Sequence, residues 1–169
     1  MIFKKITDSS TETKKLGGFL AREILKNRLN GRAVVFALTG NLGGGKTTFA
    51  QGLAKGLEIK EKILSPTFVV MRRFKIRENS RRNSRRFKNL YHFDCYRIKN
   101  SREILELGFK NILSDKSSIV IVEWADKIKK IIPKNSVWIN FKFINKNKRE
   151  IMINCKSSIG VDTPFHQKI

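Results

Sequence analysis

The run Gly40-Asn41-Leu42-Gly43-Gly44-Gly45-Lys46-Thr47 constrains this chain more than any other stretch. Glycine lets a backbone take positive φ and approach another group closely. Ahead of the run stands Ala33-Val34-Val35-Phe36-Ala37-Leu38, short, apolar and partly β-branched, which reads as a buried central strand. Behind it, Lys46 to Leu57 sets Phe49, Leu53 and Leu57 on one face, which reads as a helix. A glycine turn between strand and helix is the context in which the pattern GxxxxGK[ST] wraps a phosphate. Its amides point inward and the helix adds its positive end. Leu42, Gly43, Gly44, Gly45 and Thr48 belong to this wrap with Asn41. Lys46 would reach the β- and γ-phosphates, and the Thr47 hydroxyl would take one place on magnesium.

Such a loop needs carboxylates to complete a magnesium shell and to orient water. Glu123 closes the apolar run Ile119-Val120-Ile121-Val122, the Walker B arrangement with Glu in the acidic position. Asp94 closes Leu90-Tyr91-His92-Phe93. Acids are scarce in this chain, so two at strand ends stand out; the plainer alternative is a turn cap or an arginine partner. Ser65-Pro66-Thr67 lies where a switch segment would stand, and Thr67 is the candidate sensor of the γ-phosphate or magnesium; otherwise it is an ordinary Ser-Pro turn. His92 reads as structural rather than catalytic, and Trp124 as packing or a lid beside Glu123.

The formal net charge is +22 over 169 residues. That admits an anionic partner, RNA foremost, or a simple compositional bias toward lysine. The basic residues concentrate in Arg72 to Lys88, which holds Arg72, Arg73, Lys75, Arg77, Arg81, Arg82, Arg85, Arg86 and Lys88. The segment reads as a loop or hairpin tip. With 40% hydrophobic residues the chain can bury a core, and its length suits one domain. The expected domain spans 1–155, with a basic insertion at about 75–88 and a loose tail at 156–169. No apolar run has the roughly 20 residues of a membrane span, and the start lacks a secretory signal. Cys95 and Cys155 form no CxxC pair and read as inert thiols in a reducing cytoplasm.

The remaining expectations are brief. Met1 to Ile6 reads as a strand, and Ser9 with Glu12 as the capping box of a helix that fades near Asn30-Gly31. Phe68 to Phe74 reads as extended. Ser101 would cap a short helix ended by Gly108. Val137 to Phe143 and Ile151 to Cys155 would form a terminal hairpin.

Several motifs stand in an order that resembles the bacterial TsaE family. They are the phosphate loop through Thr48-Phe49, Ser65-Pro66-Thr67-Phe68, Tyr91-His92-Phe93-Asp94-Cys95-Tyr96-Arg97, Glu106-Leu107-Gly108, Val122-Glu123-Trp124, and Ser10-x-x-Thr13 before Leu16-Gly17. The resemblance implies an α/β, three-layer P-loop NTPase fold with a mixed, mostly parallel sheet flanked by helices. It implies a magnesium-dependent ATPase that acts with TsaB and TsaD to modify a tRNA adenosine beside the anticodon with threonylcarbamoyl. By motif match Lys46 and Thr47 serve phosphate and magnesium, Asp94 and Glu123 serve magnesium and water, and Thr67 belongs to the switch. Ser10, Thr13 and Arg149 lie near the nucleotide. Asn41 and Gly44 replace the Asp and Ala more usual in the family, and Arg72-Arg73-Phe74 replaces an acidic-aromatic pair.

Two other function classes are open on sequence. One is a small-molecule P-loop kinase with the arginine-rich stretch as a phosphate-clamping lid. The other is a non-enzymatic RNA-binding module, although no RRM or KH signature occurs. A GTPase fits less well, because Asn145-Lys146-Asn147-Lys148 ends in lysine where guanine reading needs aspartate. Neither membrane nor DNA is an expected partner.

Overall fold

The computed structural model describes residues 2–26, 31–66, 69–77 and 87–155. The chain order is β1 (Ile2–Thr7), α1 (Ser10–Lys26), β2 (Val34–Gly40), α2 (Lys46–Gly56), β3 (Met71–Lys75), β4 (Asn89–Asp94), α3 (Ser101–Glu106), α4 (Phe109–Ser114) and β5 (Ser118–Glu123). A 3-10 helix (Ala125–Ile131), β6 (Val137–Phe143) and β7 (Arg149–Cys155) complete it. The strands form one seven-stranded sheet in the order β1-β7-β6-β2-β5-β4-β3. Its centre is parallel: β2 runs with β5 and β6, and β4 runs with β5. β3, β7 and β1 join antiparallel at the two edges. This is an α/β fold with a mixed, mostly parallel sheet between helical layers, as expected.

Alternation along the central strands sorts the core into two halves. Phe36, Leu38, Leu90, Ile119 and Ile121 face α1 and α2, packing with Phe49, Leu53 and Leu16. Val35, Ala37, Phe93, Val120 and Val122 face α3, α4 and the 3-10 helix. β2 and β5 are thus apolar on both faces, as buried parallel strands are. Close approach of α1 and α2 depends on glycine. A Cβ on Gly52 would lie 2.1 Å from the Lys14 carbonyl oxygen, and one on Gly17 would lie 2.4 Å from that of Phe49.

Several local details differ from the sequence expectations. The Ser9 hydroxyl accepts the Glu12 amide at 3.1 Å, but the Glu12 carboxylate accepts the Asp8 amide rather than that of Ser9. Ser101 is not the cap of α3. Asn100 takes that place, accepting the Arg102 amide at 3.0 Å, while Glu103 returns the bond to the Asn100 amide at 2.8 Å. The reciprocal pair outcompetes a serine one residue later. Beyond Gly108, which adopts φ +77°, α4 begins at once. β7 starts at Arg149, two residues before the expected strand. Of the strand expected across Phe68 to Phe74, Phe68 lies outside the described residues, and the strand observed is β3, from Met71. The expected tail and the centre of the arginine-rich segment, 78–86, lie outside the described residues.

Candidate functional site

β2, β4 and β5 run parallel, so their C-terminal ends emerge together at one edge of the sheet. The glycine loop follows β2, Asp94 ends β4 and Glu123 ends β5; Asp94 and Glu123 stand directly opposite in register. A cleft of about 620 Å³ opens there. It is lined by Leu42, Gly43, Gly44, Gly45, Lys46, Thr47 and Thr48, with Asp94 and Glu123. Ser10 and Thr13 of α1 and Arg149 of β7 form its other wall. Asn41 lies outside this cleft and lines a neighbouring one. Thr67 lies outside the described residues.

The loop owes its shape to glycine. Gly40, Gly43 and Gly45 have φ of +112°, +70° and +99°. A Cβ on Gly40 would fall 1.9 Å from the carbonyl oxygen of Phe141 on β6. Gly45 heads α2, whose first-turn amides and dipole favour an anion at this point.

Lys46 is buried at 5% exposure, and its Nζ donates to the carbonyls of Gly40 and Asn41, each at 2.8 Å. The same ammonium lies 3.8 Å from the centre of the Trp124 ring. Burial pulls its pKa below the usual lysine value, and the charges of Glu123, Asp94 and Asp126 act against that pull. Trp124 takes the left-handed region at φ +58° and rests against Tyr96 at 5.1 Å between ring centres. The indole therefore roofs the lysine end of the cleft.

The acidic side chains are held firmly. The Thr47 hydroxyl donates to Oε2 of Glu123 at 2.9 Å. Below it, Nε2 of His92 meets Oε1 of Glu123 at 2.8 Å, with both groups buried. Asp94 accepts the Ser65 hydroxyl and, at 2.9 Å, the Tyr96 amide. The Asp94 amide bonds the carbonyl of Val70, a β-branched residue at φ +61°. Such a residue pays a steric cost there, so the backbone beside this carboxylate is under strain. Arg149 donates to the Gly43 carbonyl at 3.0 Å and ties the β6–β7 turn to the glycine loop. Thr13 shares a 2.9 Å hydrogen bond with Thr7.

Sequence reasoning left out Ser65 as a partner of Asp94 and His92 as a partner of Glu123. Alternation already placed His92 on the same face of β4 as Asp94; only the register with β5 adds Glu123. Ser9, Lys146 and Asn147 also line the cleft, without a sequence signal. Cys95 is buried, and burial followed by the Asp94 charge pushes its thiol up to about 12, which fits an inert residue. Arg72 and Arg73 of the arginine-rich segment lie on β3 opposite His92 and Tyr91, while Ile76 and Phe87, which flank its centre, stand next to the N-terminal end of β4, and the cleft lies at the C-terminal end of that strand. A six-residue strand separates them, about 20 Å.

Fold and site together define a three-layer α/β protein with a glycine loop and paired carboxylates at the carboxyl edge of its sheet. The family model "Threonylcarbamoyl adenosine biosynthesis protein TsaE" matches residues 7–151, and the chain belongs to that family. It is 31% identical to the tRNA threonylcarbamoyladenosine biosynthesis protein TsaE of Rickettsia felis, across 93% of this chain and 84% of the relative. It is 28% identical to the Haemophilus influenzae protein of that name, across 82% and 80%. The crystal structure of Bacillus subtilis YdiB superposes with a TM-score of 0.67 at 25% identity, covering 93% of this chain and 87% of YdiB. Among the described residues no helix is long and apolar enough to cross a membrane. The family works in threonylcarbamoyladenosine biosynthesis on tRNA.

Proposed function

We propose that this chain is a magnesium-dependent ATPase of the cytoplasm that acts with TsaB and TsaD in threonylcarbamoyl modification of the tRNA adenosine beside the anticodon. The observation that carries the reading is the junction of Thr47 with Glu123 at the mouth of the glycine loop, with Asp94 beside it.

The residues present suit both groups. Loop amides and the α2 N-terminus suit a phosphate. Two carboxylates and a hydroxyl are the hard oxygen donors that magnesium takes alongside water and substrate phosphate. Thr47, Asp94 and Glu123 would hold the ion, which when bound neutralises charge on the phosphates. Lys46 leaves the Gly40 and Asn41 carbonyls to reach the β- and γ-phosphates. Glu123, held by His92 from beneath, orients the attacking water. Trp124 roofs Lys46 and limits water entry from that side. The basic segment 72–88 supplies further contact to tRNA. A kinase lid draws no support from Ile76 and Phe87, the flanks of the centre of that segment, which stand at the far end of β4.

Lys46→Ala is the test. Loss of a charge-assisted contact to phosphate costs about 1.5–3 kcal/mol or more, so calorimetry should show at least a tenfold rise in the Kd for ATP. Unchanged affinity removes the phosphate-loop reading. Many cycles of tRNA modification by TsaB and TsaD, equally fast without this chain, would remove the partnership.

A further inference from the structure

A second cleft lies on the opposite side of the glycine loop, and the reading above gives it no task. It measures about 940 Å³ and runs between the 3-10 helix and the outer face of β6 and β7. The cause is topological. α1 and α2 cover one whole face of the sheet, but α3, α4 and the 3-10 helix cover only the half of the other face built on β2, β5 and β4. Among the described residues, no helix covers the outward residues of β6 and β7.

Both tryptophans of the chain line this cleft. Trp138 is half-buried, with part of its ring against the second core. Asn140 and Asn154 flank it on β6 and β7. Asn140 gives one amide hydrogen to Thr39 at 3.0 Å and keeps its carbonyl. Lys129 and Lys142 stand exposed at the rims and form no ion pair among the described residues. Asp126 is the single acid in the lining among the described residues, and Glu150, paired with Lys4, stands opposite Lys142 in register.

We propose that this cleft binds single-stranded RNA. An aromatic face stacks any base, worth about 1–3 kcal/mol per base. Side-chain amides hydrogen-bond to base edges that a duplex would hide. Ammonium groups on the rims meet phosphates and release counterions. A net charge of +22 draws such a polyanion to the whole molecule. Single-stranded RNA supplies phosphates for the lysines, base faces for the indole and base edges for the asparagine amides together. The site goes beyond the proposed ATPase and does not depend on it. Leu42 and Trp124 form the wall common to the two clefts.

The test is fluorescence anisotropy with a labelled single-stranded oligouridylate of about ten nucleotides, within the 4–16 span of comparable platforms. The full chain is used at near-physiological salt. Lys129→Glu with Lys142→Glu should weaken binding about tenfold or more. The charge-matched pair Lys55→Glu with Lys60→Glu, exposed below the other face of the sheet, should change it by less than about twofold. Asn140→Ala with Asn154→Ala, which leaves charge and core intact, should weaken it about threefold or more, consistent with the modest worth of neutral hydrogen bonds. Inorganic polyphosphate and poly-glutamate should compete poorly. Equal loss from the two lysine pairs, no loss from the asparagine pair, or equal competition by either polyanion would overturn the proposal. Near-ultraviolet circular dichroism shows that each variant keeps its packing, and the asparagine pair stands as the decisive arm should Lys142→Glu unfold.

Discussion

The Thr47 hydroxyl lies 2.9 Å from Oε2 of Glu123, although 76 positions separate the two residues in the chain. The contact closes the glycine loop against the end of β5 and leaves Glu123 facing the cleft. Glu123→Gln keeps the size of the side chain and an oxygen for Thr47 but loses the charge that orients water. Hydrolysis by this variant should fall about 10²–10³-fold, the usual loss when such a group is removed, while ATP affinity measured without magnesium stays within about threefold. Single-turnover kinetics beside calorimetry check this, and normal turnover would take Glu123 out of the mechanism.

His92 supports that carboxylate from the interior. Its Nε2 lies 2.8 Å from Oε1 of Glu123, and its Nδ1 has no hydrogen-bond partner among the described residues. An imidazole with hydrogen on Nε2 donates to this carboxylate oxygen. Groups behind a catalytic ligand typically matter 10–100-fold. His92→Leu should therefore lower the turnover number about tenfold to a hundredfold with KM nearly unchanged. His92→Gln, whose amide nitrogen stands in for Nε2, should recover most of it. Equal turnover by the leucine and glutamine variants would mean that His92 only fills space.

The glycine loop, both strand-end carboxylates and the central strands were legible because each is a local pattern. Ala33 to Leu38 and Ile119 to Val122 are apolar on both faces and so announce their place in the middle of the sheet. The links between patterns were not legible. Nothing in Tyr91-His92-Phe93-Asp94 says that His92 will reach Glu123, since that depends on the register of β4 against β5. The cap of α3 was misplaced by one residue because Asn100 and Ser101 are both good caps, and only the reciprocal bond of Glu103 decides between them. α4 spans only six residues, too few for a helical period to show. That no helix among the described residues covers the outer face of β6 and β7 is a property of the whole arrangement, which no single segment encodes.

The α1–α2 contact makes a graded prediction. A Cβ at Gly52 would stand 2.1 Å from the Lys14 carbonyl oxygen and 2.6 Å from its Cα, so backbone would have to move. At Gly18 the nearest atom, the Gly52 carbonyl oxygen, is 3.3 Å away. Gly52→Ala should cost about 1–3 kcal/mol, as overpacking does. At about 2–4 °C per kcal/mol for a chain of this size, Tm should drop by about 2–12 °C. Gly18→Ala should cost less, because a shift of a few tenths of an ångström relieves it and alanine favours the helix. Thermal denaturation ranks the two, and the reverse order would contradict this account of the helix crossing.

Asp115 ties the end of α4 to the start of β5. One carboxylate oxygen accepts the Ser117 amide at 2.9 Å and its hydroxyl at 2.7 Å; the other accepts the hydroxyl of fully buried Ser118 at 2.6 Å. Partial burial pushes the carboxyl pKa up. The hydrogen bonds from Ser118 and Ser117, helped by the charge of Lys88, more than offset this and leave it below the usual 3.8. A depressed folded-state pKa means that the unfolded chain binds the proton more readily, so ionised Asp115 favours the fold. That stabilisation is complete above the unfolded value and is lost as pH falls through the lower folded value. Asp115→Ala should therefore cost about 1–2 kcal/mol at neutral pH, where it strands the Ser118 hydroxyl. In acid, below the carboxylate range, the electrostatic part of that gap should close and leave only the lost neutral hydrogen bonds. Urea denaturation of both proteins at neutral pH and in acid measures the gap, and a difference that stays constant or widens in acid would refute the charge-assisted role of Asp115.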